Sequence, residues 1–275
     1  MEKILISGGS GLVGKALIPV LRAAGHEAAA LSRPYAQDAL DGATTIINLA
    51  GENLSARRWT LQQKRKIITS RVNTLNSLHE LLLSRPHTVK TLISASAVGY
   101  YGSVTSYQVY KEDDPPGNDF LSSVCRKWES AADSFQQLDI RVVKVRIGVV
   151  LSEKGGALPK MMMPLKFGIS VPLGTGHQWI PWIYLDDLAR VFLHLSEHYE
   201  LSGAYNAVAP NPVTNLQFMK HLAKKYHRLF IPIGVPALLL RAILGEMAVV
   251  TLEGSRVSPI KLIASGFRFN SPRLQ

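Results

Sequence analysis

Gly8, Gly11 and Gly14 recur at a spacing of three, between the apolar run Lys3-Ile4-Leu5-Ile6 and the helix-like stretch Lys15-Ala16-Leu17-Ile18-Pro19-Val20-Leu21. Strand, glycine turn, helix is an arrangement that binds phosphate. The first N–H groups of the helix face outward and carry a partial positive charge. A side chain at Gly8 or Gly11 would stand between the backbone and a pyrophosphate, and Gly14 lets the helix pack close to the strand. Ser10, Leu12 and Val13 belong to the same turn. Together, Gly8, Ser10, Gly11, Leu12, Val13 and Gly14 are expected to hold the diphosphate of a dinucleotide.

The type of dinucleotide is read about 20 residues further on, where an acidic residue would accept the hydroxyls of an NAD ribose. That place holds Leu31-Ser32-Arg33-Pro34 and no carboxylate. A guanidinium fork suits a 2′-phosphate, and Ser32 adds a hydroxyl, so Ser32 and Arg33 point to NADP(H). The plainer reading of Arg33 is a surface charge.

Composition narrows the alternatives. The chain has 275 residues, 47% of them hydrophobic, enough for a substantial core in one large domain or a domain with an appended lobe. The apolar stretch Ile231 to Val250 is interrupted by Pro232, Gly234, Pro236, Arg241, Gly245 and Glu246. It reads as an amphipathic lobe helix rather than a membrane span. The amino-terminal apolar run is a strand leading into the glycine turn, not a signal peptide. Cys125 is the only cysteine, which excludes an intrachain disulfide and a thiolate metal cluster. A cytoplasmic protein fits these features. The net charge of +11 raises nucleic acid as a partner. Yet the basic residues read as scattered apart from Arg57-Arg58 and Lys64-Arg65-Lys66, which read as a solvated helix face, and an anionic cofactor or substrate accounts for the charge as well. No spacing typical of a metal site or an acyl-transfer triad occurs. Nothing in the sequence speaks to oligomeric state.

The elements that must position these residues alternate. Strands are expected at Glu27 to Leu31, Thr44 to Ala50, Thr91 to Ala95, Arg141 to Val150 and Gly203 to Ala209. Helices are expected at Trp59 to Leu83, Phe120 to Leu138 and Ile183 to Tyr199. Alternation of this kind implies βαβ units, hence an α/β fold: a Rossmann-type, doubly wound parallel sheet. Residues 1–150 form the dinucleotide-binding core, to which 182–209 return. Residues 151–181, rich in glycine and proline, and 210–275 form a small C-terminal substrate lobe.

Three further segments carry a family resemblance. Ser94-Ala95-Ser96-Ala97-Val98-Gly99-Tyr100-Tyr101-Gly102 resembles the serine-rich "SSxxVYG" segment of extended short-chain dehydrogenases/reductases, which include the nucleotide-sugar epimerases. Trp182-Ile183-Tyr184-Leu185-Asp186-Asp187 resembles their "HVDD" element. Asn48-Leu49-Ala50-Gly51-Glu52-Asn53 resembles the segment that lines their cofactor. The glycine spacing is also theirs. With Gly148-Val149-Val150-Leu151 and Gly174 to Trp182, nearly the whole chain is similar to the atypical "epimerase family" subgroup, whose human member is NADP-binding. The resemblance implies that Leu49, Ala50, Gly51 and Glu52 contact the cofactor and that Asn53 borders the substrate.

One departure matters. Extended dehydrogenases carry Tyr-x-x-x-Lys on the helix after the serine segment, the tyrosine moving the proton and the lysine lowering its pKa and holding the ribose. Alignment on Glu129 places Leu121 and Cys125 at these positions, and neither can do that work. Tyr107-Gln108-Val109-Tyr110-Lys111 has the spacing but lies in a loop, where four residues do not make one helical turn. Ser96, Tyr100 and Tyr101 remain as catalytic candidates that could polarise a substrate oxygen; the alternative for the tyrosines is packing. Arg126 and Lys127 read as surface charges. His177, Gln178, Trp179 and Trp182 would suit a pocket wall, or else lobe packing. Asp186 and Asp187 read as a helix N-terminal cap. The expected activity is hydride exchange, on NADP(H), with a carbonyl or alcohol carbon of a small molecule. A nucleotide-sugar epimerase is the alternative implied by resemblance. A non-catalytic NADP(H) sensor or scaffold is the alternative implied by the missing pair.

Overall fold

A computed structural model describes residues 1–36 and 38–275. Six strands form one sheet: β1 (Lys3–Ser7), β2 (Glu27–Leu31), β3 (Thr45–Asn48), β4 (Thr91–Ala97), β5 (Arg141–Ile147) and β6 (Gly203–Ala207). Their order is β6-β5-β4-β3-β1-β2, and every pairing is parallel. Side chains alternate across a strand, so the central strands feed two cores. Ile4, Ile6, Ile47, Ile93, Val143 and Val145 point to one face, where α1 (Leu12–Ala23) packs through Leu17 and Leu21 and α4 (Leu185–Glu197) through Leu188, Val191, Phe192 and Leu195. Leu5, Ile46, Leu92 and Val142 point to the other, covered by Leu75, Leu78 and Leu82 of α2 (Leu61–Leu83) and Trp128 and Ala132 of α3 (Phe120–Asp133). Burial of each such aliphatic side chain contributes about 1.5–3 kcal/mol, and helices on both faces are what an all-parallel sheet requires.

The chain leaves β1 toward β2 and returns to lay β3 on the other side of β1. That reversal opens a crevice at the carboxyl ends of β1 and β3, the place where open α/β sheets take ligands. A separate cluster, with Leu158, Leu165, Ile180, Trp182, Phe218 and Leu222, forms the lobe around α5 (Asn215–Lys225). Leu262 and Phe267, from the segment expected to be lobe, instead join the core beneath α4.

Several element ends differ from the sequence expectation. β5 stops at Ile147, and Val149–Leu151 forms a separate parallel pair with Trp182–Tyr184. A Cβ on Gly148 would lie 2.2 Å from the Pro181 carbonyl oxygen, so the crossing backbone sets the break. The helix expected from Ile231 starts only after Pro236. It runs Ala237–Leu244 as α6 and breaks at Gly245, whose φ is +62°. Among the described residues, no helix is long and apolar enough to cross a membrane.

Candidate functional site

The glycine turn is shaped by two constraints, and only one of them concerns a ligand. Gly8 has φ +80°, and a Cβ there would lie 2.8 Å from the backbone of Leu49 and Ala50. A Cβ on Gly14 would lie 2.5 Å from Gly9 Cα. Gly8 and Gly14 thus hold the turn against β3's extension and α1 against the turn. Gly11 differs: its added Cβ would meet only the Gly8 carbonyl oxygen, at 3.2 Å. It is the N-cap of α1, offers no side chain to the helix amides, and no acidic residue stands in the first turn. The positive end of α1 is therefore left to an outside anion. Gly155 and Gly156 of the lobe lie against Leu12, as a Cβ on either would come within 3.6 Å or 3.3 Å of its methyl groups. These features fit a diphosphate laid on the turn.

Arg33 and Ser32 are exposed at the end of β2. Arg33 Nη1 donates to Thr74 Oγ1 of α2 at 3.3 Å. Tyr35, not singled out from the sequence, shares a 2.8 Å hydrogen bond with Ser7 at the end of β1, and burial raises its pKa. Leu49 N donates to Ser7 O at 2.8 Å, continuing the β1–β3 ladder. The half-buried Glu52 carboxylate accepts from Gln63 and pairs with Lys66 at 3.4 Å, interactions with α2 rather than with the crevice.

Beyond Gly51 a cavity of about 330 Å³ opens between the sheet and the lobe. Its walls include Val98 and Gly99 after β4, Leu121 and Cys125 of α3, and Trp179 and Gln178 of the lobe. Leu121 and Cys125, one turn apart, face the cavity with an apolar side chain and a thiol. Burial pushes the Cys125 thiol up to about 12, and its Sγ donates to Ala97 O at 3.6 Å. One cation enters this wall from α2: Arg71, buried, with its guanidinium 4.8 Å over the Trp128 ring.

Ser96 and Tyr101 do not line that cavity. Ser96 Oγ donates to Glu129 Oε1 at 2.7 Å. Arg146, projecting from β5, grips both Glu129 oxygens at 2.9 and 3.0 Å and donates to the Tyr101 hydroxyl at 2.9 Å. That hydroxyl donates to Asn206 Oδ1 at 2.8 Å, and Asn206 N donates to Glu112 Oε1 at 2.9 Å. Burial pushes the Tyr101 pKa up to about 12 and also raises that of Glu112. Burial alone would lower the Arg146 pKa, but Glu129 outweighs it and the value rises. Two of the three catalytic candidates, Ser96 and Tyr101, are therefore members of a satisfied buried cluster. Tyr100 does not line the cavity either: it is half-buried, and its ring lies 3.5 Å from the Arg146 guanidinium.

The expected pocket residues divide as well. Gln178 and Trp179 reach the cavity. Gln178 Nε2 donates to the carbonyls of Leu173 at 2.9 Å and Thr251 at 2.6 Å, and Trp179 Nε1 to Ser106 O at 2.9 Å. Trp182 is buried in the lobe core, its indole donating to Asn211 O at 3.1 Å. His177 is exposed, and Asn53 is an exposed turn residue accepting from Ser55 N at 2.9 Å. Tyr107 is also surface, 90% exposed. Asp187 does not cap α4; its carboxylate accepts from Asn270 N and Ser271 N, both at 2.9 Å, and so pins the carboxyl-terminal segment.

Known proteins carry the same plan. The family model for the NAD dependent epimerase/dehydratase family matches residues 4–208, and that for a domain of unknown function, DUF1731, matches residues 235–275. Epimerase family protein YfhF of Bacillus subtilis (strain 168) is 37% identical, the alignment covering 99% of this chain and 95% of the relative. The crystal structure of human epimerase family protein SDR39U1 (isoform 2) with NADPH superposes with a TM-score of 0.89 at 34% identity, covering 98% of this chain and 96% of that one. A nucleoside-diphosphate sugar epimerase from Corynebacterium glutamicum superposes with a TM-score of 0.80 at 33% identity, covering 99% of this chain and 56% of that one. On this match of sequence and overall fold, the chain belongs to the NAD dependent epimerase/dehydratase family.

Proposed function

We propose that this protein binds NADP(H) across the β1/β3 crevice and exchanges hydride with a carbonyl or alcohol carbon of a small, largely apolar molecule. The observation that carries the reading is the pairing of an uncapped α1 N-terminus at Gly11 with a guanidinium, Arg33, at the end of β2. The NADPH in the human relative's crystal structure agrees with it. Arg33 and Ser32 hold the 2′-phosphate. The amides around Gly11, Leu12 and Val13 hold the diphosphate, and Leu49, Ala50 and Gly51 form the floor between them and the cavity. A bound nicotinamide supplies the hydride chemistry. The chain's own part is to orient the substrate against Trp179 and Gln178 and to exclude water with Leu121, Val98 and Cys125. Ser96 and Tyr101 act through Glu129 and Arg146 as positioning residues, and Tyr100 packs on Arg146 beside them.

The apolar pair Leu121 and Cys125 favours a second reading, a protein that binds NADP(H) and reports on it without turnover. Nicotinamide absorbance, followed with NADPH and a panel of aldehydes, ketones and quinones, separates the two. Turnover of any of these supports the oxidoreductase; saturable binding with no turnover on any substrate supports the sensor. Arg33→Ala tests the cofactor in either case. NADPH affinity should fall by about tenfold or more, the worth of a charge-assisted contact, with NADH affinity nearly unchanged. Equal losses for the two would refute the 2′-phosphate assignment.

A further inference from the structure

Among the described residues, Arg71 is a buried cation with no ion-pair partner. Its side chain projects from α2 into the cavity wall and stacks on Trp128. Nη1 donates to Ile67 O at 2.9 Å and Nη2 to Glu52 O at 3.1 Å. Both acceptors are backbone carbonyls, and a guanidinium has five N–H groups. The nearby Glu52 carboxylate is turned toward Gln63 and Lys66. Burial lowers the Arg71 pKa, yet an arginine stays charged in a protein. Holding a cation this way is costly unless something in the cavity uses the remaining donors.

Position says what that is. A Cβ on Gly51 would lie 3.0 Å from the Arg71 guanidinium carbon, so Arg71 stands directly behind the floor that continues from the glycine turn. The other cation of the cavity, Lys160, is held at the rim by the Ser55 carbonyl and hydroxyl, at 2.9 and 2.8 Å. The α3 side chains that line the cavity, Leu121, Val124, Cys125 and Trp128, supply no cation. A dinucleotide with its 2′-phosphate at Arg33 and its diphosphate on α1 must carry its second ribose past Ala50 and Gly51. That ribose enters the cavity beside Arg71.

We infer that Arg71 anchors the nicotinamide-side ribose of the dinucleotide, its free N–H groups donating to the ribose hydroxyl oxygens. The cation that α3 lacks is thereby supplied by α2. The inference rests on the NADP(H) reading and goes beyond it in assigning the nicotinamide half of the site.

The test compares two ligands that share one half. NADPH contains the second ribose, whereas adenosine 2′,5′-bisphosphate ends before it. Calorimetric titration of wild type, Arg71→Gln and Arg71→Lys with both ligands should show NADPH affinity reduced about tenfold or more in Arg71→Gln, the worth of hydrogen bonds from a charged donor. The shorter ligand should bind within about twofold of wild type, and Arg71→Lys should retain an intermediate NADPH affinity. Equal losses for both ligands would show that Arg71 only props the segment 51–53, and unchanged NADPH affinity would show that it touches nothing; either overturns the inference. Should Arg71→Gln not fold, Arg71→Lys is decisive alone, since a selective NADPH loss supports the inference and its absence overturns it. A wild-type protein that binds neither ligand would instead refute the NADP(H) reading, and the inference with it.

Discussion

Ser96 and Tyr101 were legible as chemical types but not as directions. The serine-rich segment after β4 announces hydroxyls near a crevice; which way each points depends on Arg146, far along the chain on β5. A signal was present, because Arg146 interrupts an apolar strand, and a charge buried in a sheet needs a partner. Glu129–Arg146 is that pair, with side chains 7% and 4% exposed. Glu129→Gln should remove about 3–5 kcal/mol of unfolding free energy, because it strands a buried guanidinium. Ser96→Ala should remove about 1–3 kcal/mol, the worth of one hydrogen bond to a charged acceptor. Urea unfolding checks both; a Ser96→Ala protein with wild-type stability and no turnover would return Ser96 to direct catalysis. Cys125 gives a pH-resolved case. Its pKa is raised in the folded state from 9.0 to about 12. Folding therefore favours the protonated thiol, and the resulting stability is complete below pH 9 and lost as pH rises toward 12. Below pH 10 the native thiol should react with an aromatic disulfide reagent about a hundredfold or more slower than the urea-unfolded chain, since the thiolate is the nucleophile. Comparable rates would mean that Cys125 is not sealed in the α3 wall.

At the level of elements, periodicity located the strands and helices that build the sheet. Alternation of Ile4, Leu5 and Ile6 between two cores is written directly in the residues, as is the glycine turn. Legibility failed where backbone crosses backbone. The expected strand Arg141 to Val150 contains Gly148, and a glycine inside a strand pattern often marks a close approach. Only the fold reveals that Pro181 is what approaches. Gly148→Ala should therefore cost about 3 kcal/mol or more, because the 2.2 Å clash is with a carbonyl oxygen rather than a flexible side chain and overpacking alone costs about 1–3 kcal/mol. Thermal unfolding would show it, and an unchanged midpoint would mean that the backbones at Gly148 and Pro181 can move apart freely. The stretch Ile231 to Val250 failed for a related reason. Its apolar periodicity suggested one helix, but the prolines delay the start and Gly245 turns the chain, leaving α6 short with Leu238, Leu239 and Ile243 exposed.

Across the whole molecule, charge is distributed far less evenly than a scan along the chain suggests. Residues 151–181 and 210–275 hold twelve of the 31 Lys and Arg residues but only three of the 20 Asp and Glu. The clusters read as a solvated helix face are partly put to use in joining lobe to core. Arg58 donates to the terminal carbonyls of α6, to Ile243 O at 2.9 Å and Ala242 O at 2.6 Å, where the helix dipole favours a cation, and Lys64 pairs with Glu246. The lobe is thus an excess of positive charge clamped over an apolar cavity. Low-dielectric walls focus such a field and raise the encounter rate of an anion. Association of NADPH, followed by stopped-flow fluorescence, should slow by about tenfold between roughly 20 mM and 500 mM salt, as the Debye length falls to a few ångströms. NADH, which lacks the 2′-phosphate and carries less charge, should show a shallower dependence on salt. A rate independent of ionic strength for both would mean that the lobe's charge plays no part in drawing the dinucleotide into the crevice and is directed toward some other anion.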